Sequence, residues 1–171
     1  MKYISLVLLA LCIIQMKSDK ASDVVSFAKS KLGCGYVWGG EGQVLNKKNM
    51  QQFKSQYPTH VDTNVVKKWI GKQIYDCSGL VMKAFQTVGI KIYHNCEIAW
   101  KRTSWASKGQ IKNYPKNKVC IVYKFKGGKM VHTGISLGNG EFIHAKGSAY
   151  GVVKEKMPGS WTHFGIPKGL Y

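Results

Sequence analysis

The stretch Asp76-Cys77-Ser78-Gly79-Leu80-Val81-Met82-Lys83-Ala84-Phe85 decides how the rest of the chain is read. Its apolar residues Leu80, Val81, Ala84 and Phe85, with Val88 beyond, recur at i, i+1, i+4, i+5 and i+8, the stripe of an amphipathic helix, and Gly89 ends it. Asp76 has the short acceptor side chain of an N-cap, which puts Cys77 in the first turn. Unpaired backbone N–H groups and the helix dipole favour an anion there, so a thiol at that point ionises more readily than in a free chain. The Asp76 carboxylate works against a neighbouring thiolate, so a base is also needed to take the proton.

Downstream the apolar period changes from helical to two. Val119 to Phe125, Met130 to Leu137 and Glu141 to Lys146 read as strands separated by Gly127-Gly128 and Asn139-Gly140. The predicted fold class is α+β, with N-terminal helices packed on a C-terminal antiparallel β-meander and the reactive cysteine at a helix N-terminus. His132 and His144 fall on adjacent strands, so a nucleophile, a base and an orienting group are all at hand. An imidazole held at one nitrogen presents the other in a fixed tautomer, and His144 can hold His132 in that way. The register constrains this. A strict two-residue turn at Asn139-Gly140 would set His144 opposite Ile135 and leave His132 on the other face. Direct pairing of the two rings requires a reversal centred on Gly138, or a bulge among Leu137 to Gly140, and such an irregularity is expected.

Upstream, Ser22 is the expected cap of a first helix carrying Val24, Val25, Ala28 and Leu32 and ended by Gly33. Cys34 to Gly42, aromatic and glycine-rich, reads as an irregular loop. Asn46 to Gln56 and Thr63 to Ile70 read as short helices separated by Pro58, so residues 41–75 look like an insertion over a core. Ile90 to Lys118 has no sustained period and reads as loop with helical turns.

The chain has 171 residues, 44% hydrophobic and 12% aromatic, which suits one well-cored domain rather than two. Twenty-six Lys and Arg against 8 acids leave a net charge of +18, which points to an anionic partner or substrate surface. Lys2 followed by the apolar run Tyr3 to Met16 reads as a secretory signal within residues 1–21, too short to span a bilayer comfortably, with a domain over residues 22–171. Its removal takes only Lys2 from the basic residues before Lys17, so the charge belongs to the domain. No stable membrane insertion is then expected, and no nucleic-acid motif is recognisable. Cys34, Cys77, Cys96 and Cys120 remain, enough for two disulfides in an exported protein, or for at most one if Cys77 is a nucleophile. His94 with Cys96 is too sparse for a zinc site, so neither metal nor other cofactor is expected. His60, His94 and His163 read as surface or packing histidines.

Four motifs in order then carry a resemblance. Tyr36-Val37-Trp38-Gly39-Gly40, Asp76-Cys77-Ser78-Gly79-Leu80-Val81, His132-Thr133-Gly134-Ile135-Ser136-Leu137-Gly138-Asn139-Gly140 and Phe142-Ile143-His144-Ala145 together resemble the NlpC-type peptidoglycan endopeptidases, papain-like cysteine peptidases of bacterial cell walls. The segments Gly147 to Val153 and Trp161 to Gly165 also look like that family. The resemblance implies Cys77 as nucleophile, His132 as base and then acid, and His144 as orienter. It further implies that the Tyr36 hydroxyl helps the Cys77 backbone N–H stabilise the oxyanion, and that Asp76 and Ser78 bind a free substrate amine. The implied substrate is peptidoglycan and the implied bond that between D-γ-glutamate and a diamino acid, cut by a secreted or otherwise extracytoplasmic monomer, in a phagosomal or lysosomal vacuole if the source is eukaryotic. Two departures stand out: an insertion of about 35 residues between Gly40 and Asp76, far above ordinary connection lengths, and the lack of a recognisable wall-binding repeat. The alternatives are a related amidase cutting the sugar–peptide amide, and a non-catalytic cationic wall-binding or antimicrobial protein.

Overall fold

The computed structural model describes residues 19–157 and 159–171. The predicted signal falls outside the described residues except for Asp19 to Ala21, which cap and open the first helix, α1 (Lys20–Ser30). Its cap is Asp19 rather than Ser22: the carboxylate accepts from the Ala21 N–H at 3.1 Å, and the helix starts earlier than the apolar stripe indicates. Ala21, Val24 and Ala28 face inward.

Two strands and a small sheet follow where the sequence reads as loop. β1 (Gly35–Tyr36) runs parallel to β3 (Gln73–Tyr75), and β3 pairs antiparallel with β2 (Glu41–Val44), in the order β1-β3-β2. These strands are too short for an alternation to register. Between β2 and β3 lie α2 (Lys47–Gln56), closed at its start by a reciprocal Asn46/Asn49 capping box, then α3 (Thr63–Val66) and a 3-10 turn (Lys67–Trp69). Leu45, Met50, Phe53, Val66, Trp69 and Ile74 bury one another in a core separate from the main one. Residues 41–75 therefore have apolar support of their own.

The main core lies between α1, α4 (Cys77–Gln86) and a six-stranded antiparallel sheet. β5 (Val119–Lys126), β6 (Lys129–Leu137) and β7 (Glu141–Gly147) match the predicted strands, and β8 (Gly151–Lys156) extends the meander. The sheet does not stop there. β9 (His163–Pro167) returns to pair with β5, and β4 (Trp105–Gln110) pairs with β9, giving the order β4-β9-β5-β6-β7-β8. Ile90 to Lys118 is thus more ordered than its aperiodic sequence suggests. It also holds α5 (Cys96–Arg102), and β4 is a largely exposed edge strand with little apolar alternation to reveal it. Among the described residues no helix is long and apolar enough to cross a membrane.

α4 is seated by a close backbone approach. The Gly40 carbonyl accepts the Asp76 N–H at 2.9 Å, and a Cβ added to Gly79 would lie 2.1 Å from that carbonyl oxygen. Glycine is needed in the third position of α4 because the loop carrying Tyr36 presses directly on the helix. Gly79→Ala is therefore expected to destabilise the fold by about 1–3 kcal/mol, the usual cost of overpacking, read as a lower midpoint in urea or thermal unfolding.

Candidate active site

Asp76 organises the start of α4. Its Oδ1 accepts from the Gly79 N–H at 2.7 Å and from the Ser78 hydroxyl at 3.0 Å; its Oδ2 accepts from the Gly39 N–H at 2.9 Å and faces His94 Nε2 at 2.7 Å. A carboxylate has about four acceptor positions, and all four are taken. The amine-binding role that the resemblance implies for Asp76 and Ser78 thus meets a carboxylate already filled from within the protein. His94, read as a packing residue, is instead a bridge: its Nδ1 lies 2.5 Å from Glu41 Oε1. A ring flanked at both nitrogens by carboxylates needs both protons. Burial opposes the charge, but the hydrogen bonds and charges of Asp76 and Glu41 outweigh it and raise the His94 pKa from 6.5 to about 8.

Cys77 is buried and unbridged, as are Cys96 and Cys120, while Cys34 is half-buried and also free. The nearest sulfur is that of Cys96, 3.6 Å from Cys77 Sγ. The Cys77 pKa lies well below the ordinary thiol value. The main cause is the hydrogen bond from Cys96; burial opposes it, the proximity and charge of His132 add to it, and the Asp76 charge acts against it. Cys96 is correspondingly held protonated.

The two strand histidines meet without pairing directly. Ile135 lies opposite Ile143 and Ser136 opposite Phe142, so the reversal is the three-residue loop Gly138-Asn139-Gly140, with both glycines at positive φ (77° and 82°). The expected direct pairing does not form, and the β6–β7 ladder needs no bulge. Continued, this register sets Gly134 opposite His144 and puts His132, two residues on, on the same face. A Cβ at Gly134 would lie 3.0 Å from the His144 Cβ, so the glycine clears a diagonal path between the rings. His132 Nε2 sits 2.8 Å from His144 Nδ1.

The chain of contacts continues to a residue that sequence reasoning missed. His144 Nε2 lies 3.0 Å from Glu155 Oε2, and Glu155 Oε1 is 2.7 Å from Lys146 Nζ. Burial, then the charge of His132, depress the His144 pKa to about 4 despite Glu155, so the ring is neutral at neutral pH. Its one proton belongs on Nε2, facing a carboxylate that can only accept, and its Nδ1 then accepts the His132 Nε2–H. The second His132 nitrogen is Nδ1, and His132 is among the groups that lower the Cys77 pKa. The buried Trp161 ring stacks on His132 at 5.6 Å and 13°, fixing its plane. Glu155 could be found in the sequence only by pairing β7 with β8: Val153 is the partner of His144, and Glu155 is the next residue on that face.

Tyr36, Trp38, Cys77, His94, Cys96 and Met130 are among the residues lining a groove of about 390 Å³. Burial first, then the charges of Cys77, Asp76 and Cys96, raise the Tyr36 pKa far above the phenol range, so its hydroxyl keeps its proton to donate. Residues 41–75 help shape the rim. The His60 ring lies tilted against Trp38 with centroids 4.2 Å apart, and Tyr57 is shared with a neighbouring hollow of about 560 Å³ lined by Gln43, Gln52 and Gln56. His163 lies away from the groove, its ring packed against Trp100 and Phe125.

A cysteine opening a helix that packs on an antiparallel sheet, with a histidine pair on two of its strands, is the architecture of the papain-like α+β proteins. Residues 33–164 match the model of the NlpC/P60 family, and the chain belongs to that family. No curated protein matches the sequence. Among solved structures, the NlpC/p60 domain of the peptidoglycan hydrolase SagA is 18% identical with a TM-score of 0.57, covering 85% of this chain and 97% of that one. The peptidoglycan hydrolase RipB from Mycobacterium tuberculosis is 25% identical with a TM-score of 0.59, over 86% and 63% of the two chains. NlpC1 from Trichomonas vaginalis is 20% identical with a TM-score of 0.55, over 85% and 44%. This chain thus spans nearly all of the SagA domain but less than two thirds of the other two proteins.

Two outcomes are expected. Glu155→Ala should lower kcat about 10-fold, a usual cost of removing a functional histidine's outer partner, while Glu155→Gln, whose carbonyl still accepts from His144, should retain most of the rate. His94→Gln should lower stability in a pH-dependent way. The folded state binds the His94 proton more tightly than the unfolded chain, so the contribution is full below about 6.5 and lost as pH rises through about 8. Unfolding midpoints of the two proteins should converge over that window.

Proposed function

We propose that the protein is a peptidoglycan-cleaving cysteine endopeptidase working through a Cys77 acyl-enzyme. The observation that carries this reading is the run His132, His144 and Glu155, joined at 2.8 Å and 3.0 Å, beside a Cys77 thiol whose pKa His132 helps to lower. Membership of the NlpC/P60 family, and likeness to SagA and RipB, supply the substrate class.

In this mechanism the Cys77 thiolate attacks the carbonyl carbon of a stem-peptide amide. Negative charge collects on the carbonyl oxygen, where the Cys77 backbone N–H and the Tyr36 hydroxyl donate. Protonated His132 gives its Nδ1 proton to the departing amine, and the intermediate collapses to a thioester. Water, deprotonated by the same nitrogen, then hydrolyses the thioester and regenerates the thiol. His144 and Glu155 keep the His132 Nε2–H engaged throughout, so the ring does not turn away from the sulfur. No cofactor takes part.

The scissile bond in this reading is that between D-γ-glutamate and a diamino acid. Asp76, filled by Gly39, Ser78, Gly79 and His94, acts as a clamp on the nucleophile's turn rather than as the receptor of a substrate amine, which would have to displace His94. The net charge of +18 suits adhesion to walls rich in carboxylate and phosphate, and adhesion should weaken as salt rises. The export signal read in residues 1–21 and the extracytoplasmic location of the substrate agree with each other.

Digestion of purified walls with wild type and Cys77→Ala, followed by mass spectrometry of the products, tests the proposal. New D-γ-glutamyl carboxyl ends are expected from wild type alone. Release of intact stem peptides from muramic acid would make the protein an amidase, and killing or wall binding undiminished in Cys77→Ala, with no new ends from either protein, would leave only a cationic binding module.

A further inference from the structure

Cys96 is not part of the relay from Cys77 to Glu155, yet it is the residue closest to the reactive sulfur. The two Sγ atoms are 3.6 Å apart, both cysteines are buried, and both line the same groove, so a small solute reaching one reaches the other. Side-chain rotation of about 1.5 Å brings the sulfurs to the ~2.05 Å of a disulfide.

Cys96 is also held firmly in place. The preceding Asn95 has φ 148°, in a region that side-chain-bearing residues rarely occupy, and its side chain accepts from the Glu97 and Ile98 N–H groups at 3.0 Å each. Glu97 Oε2 in turn accepts the Met130 N–H at 2.7 Å, tying α5 to β6. Among the described residues, the other two thiols offer no competition. Cys120 lies wholly inside β5, and its burial pushes its pKa up to about 12; Cys34 is outside the groove and is likewise raised by burial.

We propose that Cys77 and Cys96 form a redox pair, in which a peroxide converts the two thiols to a Cys77–Cys96 disulfide that shuts the site and a thiol reductant reopens it. The Cys77 thiolate attacks hydrogen peroxide; the O–O bond breaks, hydroxide leaves, and Cys77 becomes a sulfenic acid, oxidised by two electrons. The Cys96 sulfur then attacks the Cys77 sulfur, the S–O bond breaks, and the hydroxyl departs with the Cys96 proton as water. Overall, two thiols and one peroxide give one disulfide and two waters. The pair serves two ends: it silences the nucleophile, and it stops Cys77 from advancing to the irreversible sulfinic acid.

The chemistry rests on the proposed function only for its meaning to catalysis, so the test reads the sulfurs directly. Full-length protein is treated with hydrogen peroxide in excess of the two equivalents that a sulfinic acid consumes, and mapped by mass spectrometry without reduction. The expected result is a cross-linked peptide joining Cys77 to Cys96, a loss of about 2 Da, and loss of iodoacetamide labelling at Cys77 that dithiothreitol fully reverses. In Cys96→Ser the same treatment should carry Cys77 to the sulfinic acid, a gain of about 32 Da, with less than about a tenth of the labelling recovered. Sulfinic acid at Cys77 beside a free Cys96 in wild type, a bridge to Cys34 or Cys120, or equal protection in Cys96→Ser would overturn the proposal. The wild-type map decides the matter even if Cys96→Ser fails to fold. A cross-link in a protein that releases no wall fragments would uphold the redox pair and sink the peptidase reading.

Discussion

The Asp76 carboxylate holds this site together. Four donors converge on it: the Gly79 N–H and the Ser78 hydroxyl from the helix it caps, the Gly39 N–H from the loop that carries Tyr36, and His94 from the segment before α5. A buried carboxylate is costly unless every acceptor position is used, so the arrangement is close to all-or-none. Once it forms, the tip of α4, the Tyr36 loop and the approach to Cys96 have fixed relative positions, and Cys77 is presented where the three meet. Glu41 extends the network by supplying a second, partly exposed carboxylate to His94, so the two acids share one imidazolium.

On the sheet side the organising feature is a hierarchy of proton positions. Glu155 can only accept, which sets the His144 proton on Nε2. His144 therefore offers Nδ1, which sets the His132 proton on Nε2. His132 is left with Nδ1 as its second nitrogen. Lys146 keeps Glu155 ionised, the hydrogen bond between them being the largest influence on its lowered pKa. A lysine on the surface of β7 thus acts on a buried histidine tautomer through one carboxylate. The clamp at Asp76 and this relay come from different halves of the chain, and both act on the ionisation of Cys77.

Residues 41–75 shape the surroundings of the site more than its chemistry. They carry a core of their own and add the Trp38–His60 contact, Tyr57 and an amide-lined hollow to the rim of the groove. Glu41, which begins this segment, is the only one of its residues that reaches the acid–histidine network.

Local sequence determined the elements whose cause is local. The α4 stripe, its Asp76 cap, Cys77 in the first turn and the three central strands were legible because helix caps and apolar periods are short-range properties. The two strand histidines were legible as chemistry, and the family motifs joined them to Cys77. What the tertiary structure decided depended on register and on contacts between distant segments. The loop of three residues rather than two put His132 and His144 on one face. A glycine at 134 let them meet diagonally, and pairing of β7 with β8 brought Glu155 behind them. His94 read as a surface or packing residue and Cys96 as one of several cysteines open to a disulfide, because nothing nearby in the chain carries their partners. Those partners lie across the fold, and a polar or sulfur contact is specified only when both ends have been placed.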